Sequence, residues 1–469
     1  VFGPLNNTGL IHLNGTAGNQ AVLNAINLDL QGSGRLLLDE GRIQRAPFSS
    51  LLNIQNSTGH TIEGQGSIEA ASLFNSSLIQ ATGGDVLNVA VGVNSFGGPI
   101  LDNSGTLRAD GAGSQLNLTS QQPFFSGKRN TGTIEAINGG MVMLDNSMAG
   151  LSSIENTGVI RATNGGHLII RNTAVLNFFG SVQVDGTSTI EYRDGGFVEP
   201  AGGGPVITGG GTLINSSSFI SGTGQFDVNV INRSVLSPGN PNFIISVGQL
   251  DFNGTLTAQA TSFMVFDLAG KLSNQFDRVN VSSSFQPGGA LLLNLNPALS
   301  LNLLPTDTFT ILNAGSMLPG VFANVASGTR LSTFGQEGSF VVHYGVSSPF
   351  GVNQIVLADF STSIPGMTPI NPILPARPPT QPNDPFEFVF INPAPRTVRW
   401  FDPEVAVGYE YRVTSGPNFA QLFLPAGFLD GQYMLEILDP THANFGAILP
   451  VIGDGSLLSF DFGILGVNA

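Results

Sequence analysis

Asparagine followed two residues later by glycine is the most regular arrangement of functional side chains in this sequence. Three such pairs are spaced 27 and 26 residues apart: Asn103 with Gly105, Asn130 with Gly132, and Asn156 with Gly158. A carboxamide both donates and accepts hydrogen bonds, so amides that repeat at one corner of a stacked fold can bond to each other along the stack. The pattern therefore predicts a structural asparagine ladder with small residues at its corners.

The five histidines are the next candidates for chemistry, and their spacing does not suggest a metal site. They are far apart in the sequence, without His-x-x-x-His or a similar ligand spacing: His12, His60, His167, His343 and His442. His60 and His167 stand beside turn glycines, and we expect both to occupy outward-facing polar positions. No metal and no other cofactor is predicted.

A repeated turn sets the period of the elements that carry these residues. The turn reads TGGD at 82, DGAG at 110, NGGM at 138, NGGH at 164, DGGF at 194 and SGTG at 221, so its first glycines lie 28, 28, 26, 30 and 27 residues apart. Between turns, apolar and polar residues alternate with the period of β-strands. About 28 residues hold about three short strands, which predicts one coil of a parallel β-helix, or β-solenoid, in an all-β protein.

Composition supports this fold and excludes several classes of function. The chain has 469 residues with 61 glycines and only 10% charged residues, which fits an all-β repeat array. A net charge of −15 disfavours nucleic acid as a partner. Cysteine is absent, which excludes disulfides and thiol nucleophiles. No run of about 18 apolar residues predicts a membrane-spanning helix, and the start at Val1 suggests a mature secreted chain.

Proline divides the sequence into three predicted parts. Residues 1–360 carry the solenoid repeat, and residues 361–385 form a proline-rich linker, because proline cannot donate to a sheet and favours extended spacers. Residues 386–469 alternate as expected for a small antiparallel β-sandwich. We predict a recognition or assembly surface in this last part, with a small core around one large anchor as the alternative. Its candidate residues are Trp400, Tyr409 and Tyr411.

Several words in the second half of the solenoid occur in the order found in known surface proteins. They are LSPGN at 236–240, FDRVNV at 276–281, PGGALLLNL at 287–295, DTFTIL at 307–312 and GVFANV at 320–325. In these words and their order the chain resembles bacterial autotransporter and adhesin passenger domains. The resemblance implies a secreted, right-handed parallel β-helix at the cell surface. An autotransporter would continue into a membrane barrel, which we do not expect after the ending GILGVNA.

Parallel β-helices that cleave acidic polysaccharides are the catalytic alternative. Lyases of this kind need carboxylates that hold Ca²⁺ and an arginine or lysine as base, whereas hydrolases need paired aspartates. The sequence has no Asp-Asp pair and only two lysines, Lys128 and Lys271. We therefore predict that the protein is not an enzyme and keep a polysaccharide lyase or hydrolase as the third hypothesis.

The ends of a solenoid suggest how such a protein could act. Each end exposes unpaired backbone groups, and a surface on one copy that meets a different surface on the next gives an open polymer. The leading hypothesis is a structural subunit of an extracellular filament, sheath or biofilm matrix, a homo-polymer assembled head-to-tail through the solenoid ends and the C-terminal domain. The alternative is a monomeric cell-surface adhesin that displays this domain, with cell-surface or matrix glycans as partners.

Overall fold

The computed structural model describes most of the first 362 residues and six strands near the C-terminus. The described ranges are 3–16, 18–47, 52–92, 101–120, 127–146, 152–201, 205–239, 245–334 and 337–362, followed by 388–390, 397–402, 407–415, 431–437, 448–453 and 458–460. Contacts divide the chain into two units, Val1–Pro365 and Gly366–Ala469. The predicted linker lies outside the described residues from position 363 to its end.

Short strands separated by tight corners make up the first part of the first unit. They are β1 (Gly3–Asn6), β2 (Leu10–Asn14), β3 (Ala21–Ala25), β4 (Asn27–Gln31), β5 (Arg35–Arg45), β6 (Asn53–Asn56), β7 (Thr61–Glu69), β8 (Ser72–Asn75), β9 (Leu78–Thr82), β10 (Val86–Val91), β11 (Leu101–Asn103), β12 (Thr106–Asp110), β13 (Gln115–Ser120), β14 (Lys128–Asn130), β15 (Thr133–Ile137), β16 (Met141–Asp145), β17 (Ser152–Asn156), β18 (Val159–Thr163), β19 (His167–Arg171), β20 (Thr173–Phe178), β21 (Ser181–Val184), β22 (Thr189–Arg193) and β23 (Phe197–Ala201).

The second part of this unit continues the pattern and adds two short helices. Its elements are β24 (Pro205–Ile207), β25 (Thr212–Asn215), β26 (Phe219–Gly222), β27 (Gly224–Phe226), β28 (Asn229–Asn232), β29 (Val235–Pro238), β30 (Gln249–Phe252), β31 (Leu256–Ala258), β32 (Phe263–Leu268), β33 (Arg278–Gln286), β34 (Ala290–Leu295), the helix α1 (Pro297–Ser300), β35 (Phe309–Met317), β36 (Thr329–Ser332), β37 (Ser339–His343), a 3₁₀ turn at Gly345–Ser347 and β38 (Gln354–Ser361). In the described ranges no helix is long and apolar enough to cross a membrane.

These strands stack as the coils of a parallel β-solenoid, which confirms the predicted fold. One nine-stranded sheet takes a strand from each successive coil, in the order β1-β4-β6-β8-β11-β14-β17-β20-β23. Its neighbours are all parallel, so each strand bonds to the equivalent strand of the coil before and after it. Inward-facing residues form columns along the stack, such as Leu107, Ile134 and Ile160, which are paired in register and fully buried. Each such side chain contributes about 1.5–3 kcal/mol on burial.

The coil length is about 28 residues in only part of the solenoid. Register partners lie 28 residues apart between Leu73 and Leu101, but only 21 apart between Ile154 and Val175. The coil that contains β20 to β22 is therefore short. As a result Gly195, which the sequence aligned with Gly165, lies at a different corner, between β22 and β23. The corner at Gly165 is continued instead by Asp185, whose Oδ2 accepts the backbone N–H of Asn164 at 2.7 Å.

The last coils depart from the parallel repeat predicted for residues 1–360. β35 pairs in parallel with β33 but antiparallel with β38, and β37 is antiparallel to both β36 and β38. Phenylalanine rings fill the space beneath, with Phe309 5.2 Å from Phe276 and 5.7 Å from Phe340. The amide of Asn324 bonds to both the N–H and the C=O of Leu291, and so covers the edge of β34. The chain thus caps its own C-terminal coil.

The second unit contributes a single sheet among the described residues. Its strands are β39 (Phe388–Phe390), β40 (Thr397–Asp402), β41 (Val407–Ser415), β42 (Gly431–Ile437), β43 (Ile448–Gly453) and β44 (Leu458–Phe460). They are antiparallel and adjacent in chain order. The described strands therefore form a six-stranded meander, where the sequence predicted a sandwich of two sheets.

Glycine serves the corners in two physically different ways. At the turn between β15 and β16, Gly139 has a positive φ of 83°, a conformation that other residues adopt at a cost. The glycines that follow the ladder asparagines are needed for closeness instead. A Cβ on Gly132 would lie 2.1 Å from the carbonyl oxygen of Gly105, and one on Gly158 would lie 2.1 Å from that of Gly132. Successive coils touch backbone to backbone at this corner.

We expect Gly132→Ala to destabilise the solenoid by about 3 kcal/mol, because the added methyl group must push two coils apart. The matched control is Gly186→Ala, where an added Cβ would meet nothing within 4 Å and the φ is not positive. That control should stay within about 0.5 kcal/mol of the wild type. Urea denaturation measures both, and equal midpoints for the two variants would contradict this account of the corner.

Candidate functional site

Buried asparagine side chains run along the inside of one corner of the solenoid. Nδ2 of each donates to Oδ1 of the next: Asn56 to Asn75 at 2.8 Å, Asn75 to Asn103 at 2.8 Å, Asn103 to Asn130 at 2.7 Å, Asn130 to Asn156 at 2.8 Å, and Asn156 to Asn177 at 2.7 Å. The first five are fully buried. The structure thus brings the three asparagines singled out in the sequence, Asn103, Asn130 and Asn156, into one continuous ladder.

The ladder has a direction, because each amide is fixed by a second hydrogen bond. Nδ2 of Asn103 also donates to the carbonyl of Thr133 at 3.1 Å, and Nδ2 of Asn130 to that of Val159 at 3.3 Å. An amide turned by 180° would set its oxygen against these carbonyl oxygens. Every rung therefore points its N–H₂ group toward the C-terminal end and its oxygen toward the N-terminal end.

His60 extends the ladder past a coil that has no asparagine to offer. Its Nδ1 lies 3.1 Å from Oδ1 of Asn56, and its Nε2 lies 3.3 Å from Nδ2 of Asn7, two coils further down. At the intervening corner the chain has Gly34, where a Cβ would come within 2.4 Å of Nδ2 of Asn7. The imidazole fills the space that this glycine leaves open.

The neighbours of His60 fix its tautomer. Asn7 uses Oδ1 to accept the N–H of Gly9 and Nδ2 to donate to the carbonyl of Arg35, so it offers only a donor to the imidazole. Asn56 offers only its oxygen, because its Nδ2 is engaged by Asn75. Nε2 must therefore accept, and Nδ1 must carry the proton, which makes the ring neutral. Burial accordingly lowers the pKa of His60 below its ordinary value of 6.5.

The outward position predicted for His60 is therefore wrong, since the side chain is fully buried. It belongs to the solenoid interior because its corner neighbour is glycine, a signal that the sequence contains but that histidine spacing does not reveal. His167 does lie on the outside, half-buried, with Nε2 3.4 Å from Glu191. His12 lies 3.6 Å from Asp39, and His343 packs against Phe350. His442 lies outside the described residues.

A second row of polar side chains follows the Asn-Gly-Gly turn on the outside. Nδ2 of Asn138 donates to Asp110 at 2.8 Å, and Nδ2 of Asn164 donates to Oδ1 of Asn138 at 3.2 Å. Both asparagines have a positive φ, 55° and 53°, which asparagine tolerates better than most residues. The two repeated phrases of the sequence thus produce two ladders, one buried and one exposed.

Charged residues also pair along the stack. Glu135 is almost fully buried between two arginines of neighbouring coils, with Oε1 2.5 Å from Nε of Arg108 and Oε2 2.7 Å from Nε of Arg161. Glu63 is shared in the same way by Arg35 and Gln80. The arginines of this face are thus neutralised by their own chain, and they do not form the basic groove that an acidic polymer would require.

Two buried carboxyl groups that sequence spacing did not reveal meet beside the loop at 246–248. Asp277 accepts the N–H of Gly248 at 2.7 Å and the N–H of Asp267 at 2.8 Å, while Asp267 accepts the N–H of Ser246 at 2.7 Å. Burial raises the pKa of Asp277 to about 8 and that of Asp267 to about 6. Since Asp277 is inaccessible to solvent and both groups hold backbone N–H donors, the pair is arranged to fix the loop.

The aromatic residues singled out near the C-terminus occupy neighbouring positions of the six-stranded sheet. Trp400 on β40 is the register partner of Tyr409 on β41, and Tyr411 is the partner of Val398. The fold therefore brings Trp400 and Tyr409 together across two strands.

The first coil of the solenoid is open toward its N-terminal side. β1, β2 and β3 each pair with a strand on one side only, namely β4 for β1 and β5 for the other two. Gly9 and Gly15 use their backbone groups toward β5. Because alternate residues of a strand point in opposite directions, the N–H and C=O groups of Leu10, His12 and Asn14 point away from the stack.

Burial gives the same result for the side chains of the first coil. Leu5, Ile11 and Leu13 are only partly buried, whereas their register partners one coil deeper, Leu30, Leu36 and Leu38, are at most 1% exposed. Two further apolar residues of this coil are exposed, Leu10 by 58% and Val22 by 43%. The first coil therefore presents unpaired backbone together with an uncovered part of the core.

No group of three or more ligating side chains that could hold a metal ion occurs within the described part of the chain. Comparisons with family models, with curated proteins and with solved structures find no match to this chain. What the protein does is therefore argued from its ladder, its coils and its ends.

We expect Asn130→Ala to destabilise the protein by about 2–4 kcal/mol, because it leaves Nδ2 of Asn103 and Oδ1 of Asn156 buried without their partner. The control Asn53→Ala removes an exposed amide pair, in which Nδ2 of Asn53 donates to Asn27 at 3.2 Å, and should cost less than about 1 kcal/mol. The free energy of unfolding in urea distinguishes them. A loss for Asn130→Ala no larger than for Asn53→Ala would show that the buried ladder does not hold the coils.

We expect the coils around His60 to loosen as the pH falls below about 6.5. The pKa of His60 is lowered in the folded state, so the unfolded chain binds the proton first and stability declines toward acid pH. A protonated ring would also turn two N–H donors, Nε2 of His60 and Nδ2 of Asn7, against each other. Hydrogen exchange in residues 52–69, corrected for intrinsic rates, should rise severalfold between pH 7.5 and pH 5.

The variant His12→Gln serves as the control for this pH effect, because His12 is exposed on the same coils. It should keep the acid sensitivity, whereas His60→Gln should show similar corrected exchange at both pH values. Sensitivity that survives in His60→Gln would assign the effect to another group.

Proposed function

We propose that this protein is a structural subunit of an extracellular assembly, such as a filament, sheath or biofilm matrix, secreted by a bacterium and built from copies of the same chain. The observation that carries the proposal is the difference between the two ends of the solenoid. The C-terminal coil is capped by β35 to β38, whereas the first coil leaves three strands unpaired over a half-exposed core. Open strand edges are surfaces on which other strands assemble.

This difference changes how head-to-tail assembly must work. Because the C-terminal coil is covered, two solenoids cannot join by simple stacking of one end on the other. The partner of the first coil is then the C-terminal unit of the next copy, whose outer strands β39 and β44 each pair on one side only among the described strands. One strand added to an open edge supplies main-chain hydrogen bonds, and two unlike surfaces generate an open polymer.

The interior of the solenoid suits a load-bearing part. Each coil is tied to the next by backbone bonds, apolar columns and the buried amide ladder, which replace the disulfides that a cysteine-free chain cannot form. The outer arginines are paired along the stack, and the carboxyl pair at Asp267 and Asp277 is buried. These features support a structural role over the lyase or hydrolase alternative.

A cell-surface adhesin is the second candidate, and the register of the C-terminal sheet favours it. Trp400 and Tyr409 are cross-strand partners, and paired aromatic residues are common in carbohydrate-binding and protein-binding surfaces. In this case the solenoid displays the C-terminal unit without polymerising, and the ligand is a cell-surface or matrix glycan.

Electron microscopy and light scattering at rising protein concentration test the proposal. We expect fibres or growing oligomers from the wild type, and at least a tenfold higher concentration requirement for the double variant Leu10→Lys with Val22→Lys, because lysine on an edge strand opposes pairing. The control places the same charges on the capped end, at Val321 and Val346, which are 64% and 96% exposed. It should assemble like the wild type.

Particles that stay monomeric at every concentration would contradict the assembly proposal. If such monomers bind glycans and the Trp400→Ala variant does not, the adhesin is the better account. Equal loss of assembly in both double variants would mean that the first coil is not the specific surface.

A further inference from the structure

The interior of one coil contains a lysine where its neighbours have aliphatic residues. Lys128 on β14 has Leu101 and Ile154 as its register partners, and all three are at most 3% exposed. Its Nζ lies 2.5 Å from Oδ1 of Asn146, at the other end of the same coil. Asn146 is likewise 3% exposed. A buried primary amine and a buried carboxamide are therefore in direct contact.

A second contact of the carboxamide holds its nitrogen on the side away from the amine. Nδ2 of Asn146 donates to Oγ1 of Thr173 at 2.7 Å, and that hydroxyl donates to the carbonyl of Arg171 at 2.8 Å. Given a C=O bond of about 1.23 Å, Nζ is at most about 3.7 Å from Cγ of Asn146. Reacting atoms in productive enzyme complexes are about 3–3.5 Å apart. The pair is close to the geometry in which nitrogen attacks an amide carbon.

We propose that Lys128 and Asn146 form an intramolecular isopeptide bond, a covalent staple inside one coil. Nζ of the neutral lysine bonds to Cγ of Asn146, the Cγ–Nδ2 bond breaks, and one proton passes from Nζ to Nδ2, which leaves as ammonia. Thr173 Oγ1, in contact with Nδ2, is placed to relay that proton. No oxidant, metal or other reactant is consumed.

Burial favours the reactive form of the amine. Desolvation lowers the pKa of Lys128 from 10.5 to about 8, so about a tenth of the molecules carry the neutral amine at pH 7. Lys271, the other lysine, differs in each of these respects, since it is half-exposed and paired with Asp307 at 2.6 Å. The chemistry is therefore specific to Lys128.

The bond would close residues 128–146 into a covalent ring that contains β14, β15 and β16. This coil carries Asn130 of the buried ladder and Glu135 of the charged column. A cross-link of this kind constrains the unfolded chain as a disulfide does, but without cysteine. The inference does not rest on the proposed assembly and would hold for an adhesin as well.

The mass of the intact chain tests the proposal directly. We expect a deficit of about 17 Da, the mass of ammonia, relative to the sequence. The deficit should vanish in Lys128→Met and in Asn146→Ala and remain in the control Lys271→Met. Because the wild-type measurement is decisive alone, it does not depend on whether either variant folds.

Tryptic peptides distinguish the staple from a cyclic imide at Asn146, which would also lose ammonia. In the staple, trypsin cannot cut after Lys128, so residues 109–129 and 130–161 stay joined and fragment as one branched species. An intact mass equal to that of the sequence, or a deficit confined to an unlinked 130–161 peptide, would overturn the proposal.

Discussion

Parallel stacking is the constraint on which the rest of the structure depends. When coils repeat at the spacing of paired strands, about 4.8 Å, each side chain lies directly over the equivalent residue of the next coil. An inward column must then be apolar or fully hydrogen-bonded, as Ile134 between Leu107 and Ile160 and Asn130 between Asn103 and Asn156 are. An outward column must alternate in charge, as Arg108, Glu135 and Arg161 do. The same spacing excludes a Cβ from Gly132.

Repetition made part of this architecture predictable from the sequence. The strand period and the asparagines at 103, 130 and 156 recur, so their stacking follows once a coil is assumed. His60 has no repeated counterpart, and its place depends on the empty corner at Gly34. The pairing of Asp267 with Asp277 depends on a loop closure. The cap from β35 to β38 was missed because alternation is the same in parallel and antiparallel strands. The contact of Lys128 with Asn146 joins two ends of one coil, which no local pattern encodes.

The direction of the ladder gives the solenoid two chemically different ends. Its oxygens point toward the first coil, where backbone groups and half-buried leucines are uncovered, and the C-terminal coil is covered by antiparallel strands and phenylalanine rings. A rod with one open and one closed end can add partners from one side only. In the proposed assembly this asymmetry sets the polarity of the polymer, while the ladder and the apolar columns hold each subunit together.

The central claim is that the first coil is the surface on which copies of this chain assemble, and residue-resolved hydrogen exchange at rising protein concentration tests it most directly. The account predicts that the amides of Leu10, His12 and Asn14, which point away from β5, become protected as assemblies form, while buried amides of the middle coils do not change. Amides of the first coil that exchange equally fast at every concentration, in a sample that has demonstrably assembled, would contradict it.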